Sequence, residues 1–178
     1  FAASIGAPHW SLDLADCLAR PGVEAVILAT PTQLHAAQAV QALEAGKHVS
    51  MQKPMAMTVA DCDAIVAAEH AAKGSFMVGH ICRFNPRYAA AKAEIAAGKI
   101  GKVISMYARR NLPAWVGATV LDKIGPIIGD GVHDTDLMFW LSGSRAVTAY
   151  AQTVKVGKHA HPDLGHVMYR LENGASCL

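Results

Sequence analysis

The chain has 178 residues, 52% of them apolar and 17% charged, which is enough for one medium domain or two small ones with a sizeable core. That balance excludes intrinsic disorder, and a net charge of +2 with no basic run excludes a nucleic-acid-binding footprint. No stretch reaches the roughly 20 uncharged apolar residues that a bilayer span needs, and no signal peptide is visible. The expected partners therefore include neither nucleic acid nor membrane. Cys17, Cys62, Cys82 and Cys177 form no C-x-x-C pair and read as free thiols in a reducing cytoplasm.

The opening FAASIGAPHW reads as the tail of a helix without an initiating Met. Next, VEAVILAT (residues 23–30) is a continuous β-rich run, the pattern of a strand covered on both faces. TQLHAAQAVQALEAG carries apolar residues at three- and four-residue spacing and ends on Gly46, a helix with a C-terminal glycine. KHVSM is a second strand. In TVADCDAIVAAEHAAKG, Thr58 and Asp61 are spaced as a capping box and Gly74 closes the helix. SFMVGHI is a third strand. Strands alternating with helices of this length imply βαβ units, a parallel sheet, and strand C-termini on one edge.

Beyond Cys82 the pattern changes. NPRYAAAKAEIAAGKIG predicts a helix, KVISMYARRN a longer strand, and the stretch with Pro113, Trp115 and Gly117 a loop. GPIIGDGVHDTDLMFWLSG predicts a helix started by Pro126 and stopped by Gly143. AVTAYAQTVKV and GHVMYRLENG are strands with no helix between them, which argues for an antiparallel α+β region. The closing ENGASCL reads as an Asn-Gly hairpin whose second strand is cut short. The expected fold is α/β: an incomplete Rossmann-type parallel sheet over residues 1–81, then an incomplete α+β domain with an open, mainly antiparallel sheet over residues 82–178. Both ends read as those of an internal fragment, with a risk of aggregation at its uncovered sheet edges.

Three groups of residues are candidates for chemistry. Ligands of open α/β sheets bind beyond the carboxyl ends of the strands. There ATPTQLH and MQKPM place Thr30, Pro31 and Lys53, and Pro54 biases Lys53 towards an extended backbone. A lysine in such a crevice can hold an anionic or hydroxylated ligand, and a solvated loop lysine is the plain alternative. In GDGVHDTD, Asp130 and His133 are three apart and share a helix face, which suits a carboxylate-supported imidazole in acid–base work. Asp136 extends that stripe, and a merely polar helix face is the alternative. His159, His161, Asp163 and His166 have the residue types of a metal site, but they lie among glycines and a proline and read as a solvated loop, so no metal is expected. Neither a G-x-S-x-G elbow nor a G-x-x-x-x-G-K-[ST] loop occurs. There is also no G-x-G-x-x-G, whose place would precede this chain.

VEAVILATPTQLHAAQAVQALEAGKHVSMQKPMAMT, VGHICRFNPRY, GKIGKVISMYARRN, GDGVHDTDLMFWLSG and HPDLGHVMYRLENGA resemble, in that order, the glucose–fructose oxidoreductase / inositol dehydrogenase / MocA family. The resemblance implies a nicotinamide cofactor, NAD or NADP, and hydride transfer with a sugar, inositol or related polyol. It makes Lys53 the lysine of the Glu-Lys-Pro motif and His133 the acid–base histidine. Thr30, Pro31, His35, Lys53 and Pro54 would lie at the cofactor, Arg109 and Asn111 at the substrate, and Asn85–Pro86 at the passage between domains. Two departures stand out. Gln52 replaces the usual Glu, and the usual aspartate four residues before the histidine is Gly129 here, which leaves Asp130 as the acid. The resemblance also implies a homo-oligomer formed through the α+β sheet. The alternatives are a non-catalytic NAD(P)-binding regulator on the same fold and, further off, a metal enzyme using His159, His161 and His166.

Overall fold

Three short apolar runs build the first sheet. In the computed structural model, which describes residues 2–178, β1 (Ala25–Leu28), β2 (His48–Gln52) and β3 (Phe76–Gly79) are parallel and lie in the order β1-β2-β3. The pairing Val26↔Val49↔Phe76 and Leu28↔Met51↔Val78 lines these residues up on one face. Helices α1 (Leu14–Leu18), α2 (His35–Glu44) and α3 (Val59–Ala71) contribute Leu18, Ala39, Ala42, Leu43 and Ile65 to the core that covers it. The opposite face is open, with Ile27 77% exposed and Met77 51%. Coverage on both faces was the expectation for β1, and among the described residues one face is covered. Two right-handed crossovers that both step the same way put α2 and α3 on the same side.

Local chemistry explains the boundaries. Gly46 follows α2 at φ +73° while Lys47 N–H donates to Ala42 O, a left-handed helix stop. Thr58 caps α3 by accepting from Asp61 N–H at 3.1 Å, and its hydroxyl donates to the Asp61 carboxylate at 2.7 Å. Gly74, read from sequence as a helix stop, serves a different purpose. A Cβ there would sit 2.1 Å from Lys47 O, so the residue allows one backbone to approach another.

The chain divides into two compact units, Phe1–Gly79 and His80–Leu178. In the second unit the sheet order is β4-β7-β6-β5, from β4 (Ser105–Met106), β5 (Ala146–Val154), β6 (Leu164–Leu171) and β7 (Ser176–Cys177). β5–β6 and β6–β7 are antiparallel and β4–β7 is parallel. The Asn173-Gly174 turn forms the predicted hairpin, with Gly174 at φ +86°. The long strand expected from KVISMYARRN forms two residues of ladder with β7 among the described residues.

Helices in this unit are α4 (Pro86–Ala96), α5 (Ala114–Val120) and α6 (Val132–Ser142). Helix α5 occupies the segment expected to be a loop. Pro113 sits at its N-cap, outside the helix, where it does not interrupt the hydrogen-bond ladder. The single helix expected from Pro126 is instead a π-helical turn, Ile127–Gly131, running into α6. Asp130 therefore stands in the wide turn and His133 in the α-helix. The three-residue spacing between them is not that of one regular helix face. Met138, Leu171, Ala175 and Cys177 form the core between α6 and the sheet, with Phe139 edge-on to Tyr169 at 5.3 Å.

Replacing Gly74 by Ala in the complete protein drives a methyl group into a carbonyl, an overpacking expected to cost about 1–3 kcal/mol. Urea denaturation reads this directly, and an unchanged midpoint with an unchanged slope would refute the close approach.

Candidate active site

Chemistry-bearing residues of the first unit gather beyond the carboxyl ends of its strands. Thr30-Pro31 follows β1 and Lys53-Pro54 follows β2. His35, at the start of α2 and 1% exposed, reaches both loops, with Nδ1 2.8 Å from Pro54 O and Nε2 2.9 Å from Thr30 O. One imidazole thereby holds two strand-end loops to the first turn of a helix. The Thr30 hydroxyl donates to Gln38 Oε1 at 2.6 Å, and this adds a second tie to α2. The Lys53–Pro54 peptide is cis, Pro54 is buried, and Lys53 itself is half-buried.

Of the residues expected at a cofactor, some keep accessible surface at this edge and others do not. Thr30, Pro31 and Lys53 keep accessible surface at the strand ends, where such a cofactor binds. His35 and Pro54 were expected against the cofactor. Both are buried, with the His35 ring occupied by backbone carbonyls, so they support the loops and offer a ligand no surface. Gln52, where a Glu was expected, is exposed at the end of β2, beside Gly79 in the ladder.

In the second unit the candidate residues are arranged around α6. His133 is 8% exposed, and its Nδ1 lies 3.7 Å from Cys82 Sγ in the turn Ile81–Phe84. One residue along, Arg83 Nε donates to Asp136 Oδ2 at 2.9 Å and Nη2 engages the other carboxylate oxygen. Arg110 makes the same two-pronged bond to Asp134, at 2.7 and 3.0 Å. These hydrogen bonds hold both guanidinium groups still further above their ordinary range. His80 Nδ1 is 3.7 Å from the Asp136 carboxylate, without a hydrogen bond. Burial pushes the His80 imidazole down and outweighs the pull of that carboxylate, with the Arg83 charge adding to the fall.

The sequence places Asp130, His133 and Asp136 in one stripe, and the structure assigns two of α6's carboxylates to arginines. Asp136 is taken by Arg83 and Asp134 by Arg110. Asn111 and Asp130 line a cavity of about 580 Å³ in this unit, with the Arg110–Asp134 pair on its polar wall and Val116, Val120 and Ile124 on its apolar wall. That volume suits a small organic ligand. Arg109 is not among its lining residues and reaches Asn111 Oδ1 only at 3.5 Å. The Cys82–His133 contact was missed by sequence reasoning, since nothing in a 51-residue separation announces it.

Of His159, His161, Asp163 and His166, the first three lie in a loop that the carboxylates of Asp122 and Asp163 organise, and His166 stands in β6, a correction to the loop expected for it. Asp163 accepts from Val156 and Gly157 N–H at 2.7 and 2.9 Å, and these bonds hold its carboxyl below the usual range. Asp122 accepts from Ala160 N–H at 2.8 Å. Among the described residues no three His, Cys, Asp or Glu side chains are placed to hold a metal ion. No helix among them is long and apolar enough to cross a membrane.

Comparison with known proteins agrees with this architecture. Residues 1–80 match the oxidoreductase family with an NAD-binding Rossmann fold, and residues 88–178 match the GFO/IDH/MocA C-terminal domain. The 4-carboxy-2-hydroxymuconate-6-semialdehyde dehydrogenase of a Sphingobium species is 33% identical over 99% of this chain and 57% of its own length. The scyllo-inositol 2-dehydrogenase (NAD(+)) of Bacillus subtilis is 33% identical over 80% of this chain and 42% of its own. Among solved structures, the WlbA dehydrogenase of Bordetella pertussis, in complex with NADH and UDP-GlcNAcA, superposes with a TM-score of 0.84. It is 28% identical, over 99% of this chain and 53% of that one. The chain thus spans about half the length of the curated relatives it matches. Its two halves, a parallel-sheet unit and a mixed-sheet unit in the family's order, make this chain a member of the Gfo/Idh/MocA oxidoreductase family.

Proposed function

We propose that the complete protein is a nicotinamide-dependent dehydrogenase that moves a hydride between NAD(P) and a carbinol carbon of a sugar, inositol or related polyol. The observation that carries this reading is Lys53. It stands half-buried at the carboxyl end of the central parallel strand, on a loop that His35 fixes from behind. The bound nicotinamide supplies the redox step by taking or returning the hydride. Lys53 donates to the substrate hydroxyl and orients it. His133 takes the hydroxyl proton during oxidation and returns it during reduction. Thr30 and Pro31 line the cofactor side of the strand ends, and Asn111 and Asp130 bind further hydroxyls. Relatives named as inositol 2-dehydrogenases support this substrate class. The complete protein is further proposed to act in the cytoplasm, where its cysteines, all free here, stay reduced. It is proposed to associate through the second sheet, on which Val147, Tyr150 and Met168 are exposed.

One observation favours a second reading. Gln52 and Gly129 stand where the family resemblance places acidic residues. A protein that binds NAD(P) without turnover, as a regulator, would tolerate both changes. Nicotinamide binding with no turnover across a polyol and sugar panel would select that reading.

In the complete protein, Lys53→Met and His133→Ala should each lower kcat/KM by roughly two orders of magnitude or more, the scale of acid–base catalysis. Cofactor quenching of tryptophan fluorescence checks that the variants still bind NAD(H). Wild-type rates in both variants would remove the mechanism. Exchanging His35 for Leu removes the ring contacts to Pro54 O and Thr30 O, and denaturant melts should show a loss of about 1–3 kcal/mol. An undiminished melt would refute its bracing role.

A further inference from the structure

We propose that the substrate is a polyol carrying an apolar substituent, which the cavity of the second unit receives against α5, with Gly117 as the residue that admits it. The inference deepens the dehydrogenase reading and rests on it for the reacting end of the substrate.

The cavity of about 580 Å³ is walled by the second unit alone, and its two sides differ in chemistry. Arg110, Asp134 and Asn111 belong to the polar side, and Val116, Val120, Leu121 and Ile124 to the apolar one. Met138 of α6 and Val167 of β6 extend the apolar side. Hydroxyls set against such a wall give up their bonds to water with nothing to replace them. They belong at the side of the Arg110–Asp134 pair, and carbon belongs at the other. The volume lies in the range of drug-sized ligands, roughly 300–1,000 Å³, with space beyond a single polyol ring.

Helix α5 supplies a second observation. Val116, Gly117, Val120 and Leu121 fall on one side of it at helical spacing, while Trp115 and Thr119 are exposed on the other. An apolar stripe of this kind normally packs into a core. Among the described residues neither core cluster includes a residue of α5, and the stripe lines the cavity instead.

Gly117 is the third. A glycine inside a helix weakens it, and the usual justifications are a left-handed backbone or a close approach. Gly165, also in the cavity wall, has such a reason, since a Cβ there would come to 2.6 Å from Ile127 Cγ1. Gly117 has neither. Its φ is not positive, and beyond the helix backbone a Cβ would meet Leu121 Cδ1 at an ordinary 3.5 Å. What the missing side chain leaves is cavity space between Val116 and Val120. On α6, Asp134, Thr135 and Met138 line this space, while His133 faces the turn Ile81–Phe84. The cavity therefore suits the part of the substrate remote from the reacting carbon.

The experiment measures binding by calorimetry to the complete protein saturated with NADH, using matched methyl and phenyl β-pyranosides of glucose, galactose and mannose. In the best-bound pair the phenyl compound should bind roughly tenfold or more tightly than the methyl compound, the scale of burying a few apolar carbons. Gly117→Leu, which fills the space, should abolish that preference and leave the methyl glycoside's affinity unchanged. Gly117→Ala should reduce the preference and raise the melting temperature, as loss of a helix glycine that the backbone does not need would do. Equal affinities in every pair, or no binding by any of these compounds, would overturn the proposal. So would a phenyl preference undiminished in Gly117→Ala, or in a Gly117→Leu protein that melts normally, because the group would then lie elsewhere. Turnover is scored separately. Oxidation of free polyols without a phenyl preference leaves the dehydrogenase reading standing and this inference fallen. A phenyl preference that depends on Gly117, with no turnover of any polyol, does the reverse.

Discussion

Handedness is the constraint from which the first unit follows. Parallel strands that are neighbours in sequence and in space accept only right-handed crossovers, and β1-β2-β3 takes two in succession. That one restriction puts both helices on one face and brings the loops after β1 and β2 to a common edge. An edge of this kind exposes strand-end carbonyls that need donors. His35 reaches the carbonyls of Thr30 and Pro54 from a position that is itself buried, and an uncharged imidazole has one N–H to give to one of them. The loop that carries Lys53 is thus held by a residue on the far side of its own backbone.

In the second unit α6 plays the comparable part by dividing its surface. Thr135, Met138 and Phe139 face the sheet, where Thr135 shares a hydrogen bond with the Tyr169 hydroxyl and Phe139 meets its ring. His133 and Asp136 face the turn Ile81–Phe84, and Asp134 faces Arg110. A helix held on three sides by different chemistry has little freedom to rotate. The imidazole inherits that rigidity, the condition under which a proton-transferring group is useful.

Much of this was legible in the sequence because periodicity reports it. VEAVILAT, KHVSM and SFMVGHI stood out as strands by β-rich apolar runs, and the intervening helices by three- and four-residue spacing with glycine stops. The Asn173-Gly174 hairpin came from turn chemistry alone. The misses share a physical cause, namely dependence on residues distant in the chain. β4 finds its partner β7 some 70 residues away. Arg83–Asp136, Arg110–Asp134 and Cys82–His133 are pairings across 53, 24 and 51 residues, beyond any local pattern. His35 was picked out for its place beside Thr30, and only burial shows that it braces the wall.

The wide turn at Ile127–Gly131 bears on how such a site is read from sequence. A π turn closes its hydrogen bonds one residue further along the chain than an α-helix does. Where one is present, counting residues is a poor ruler for judging whether an acid and a base are companions, because the rotation per residue changes partway between them. Asp130 and His133 stand on either side of that change, so a spacing rule drawn for a regular helix is the wrong gauge for the pair.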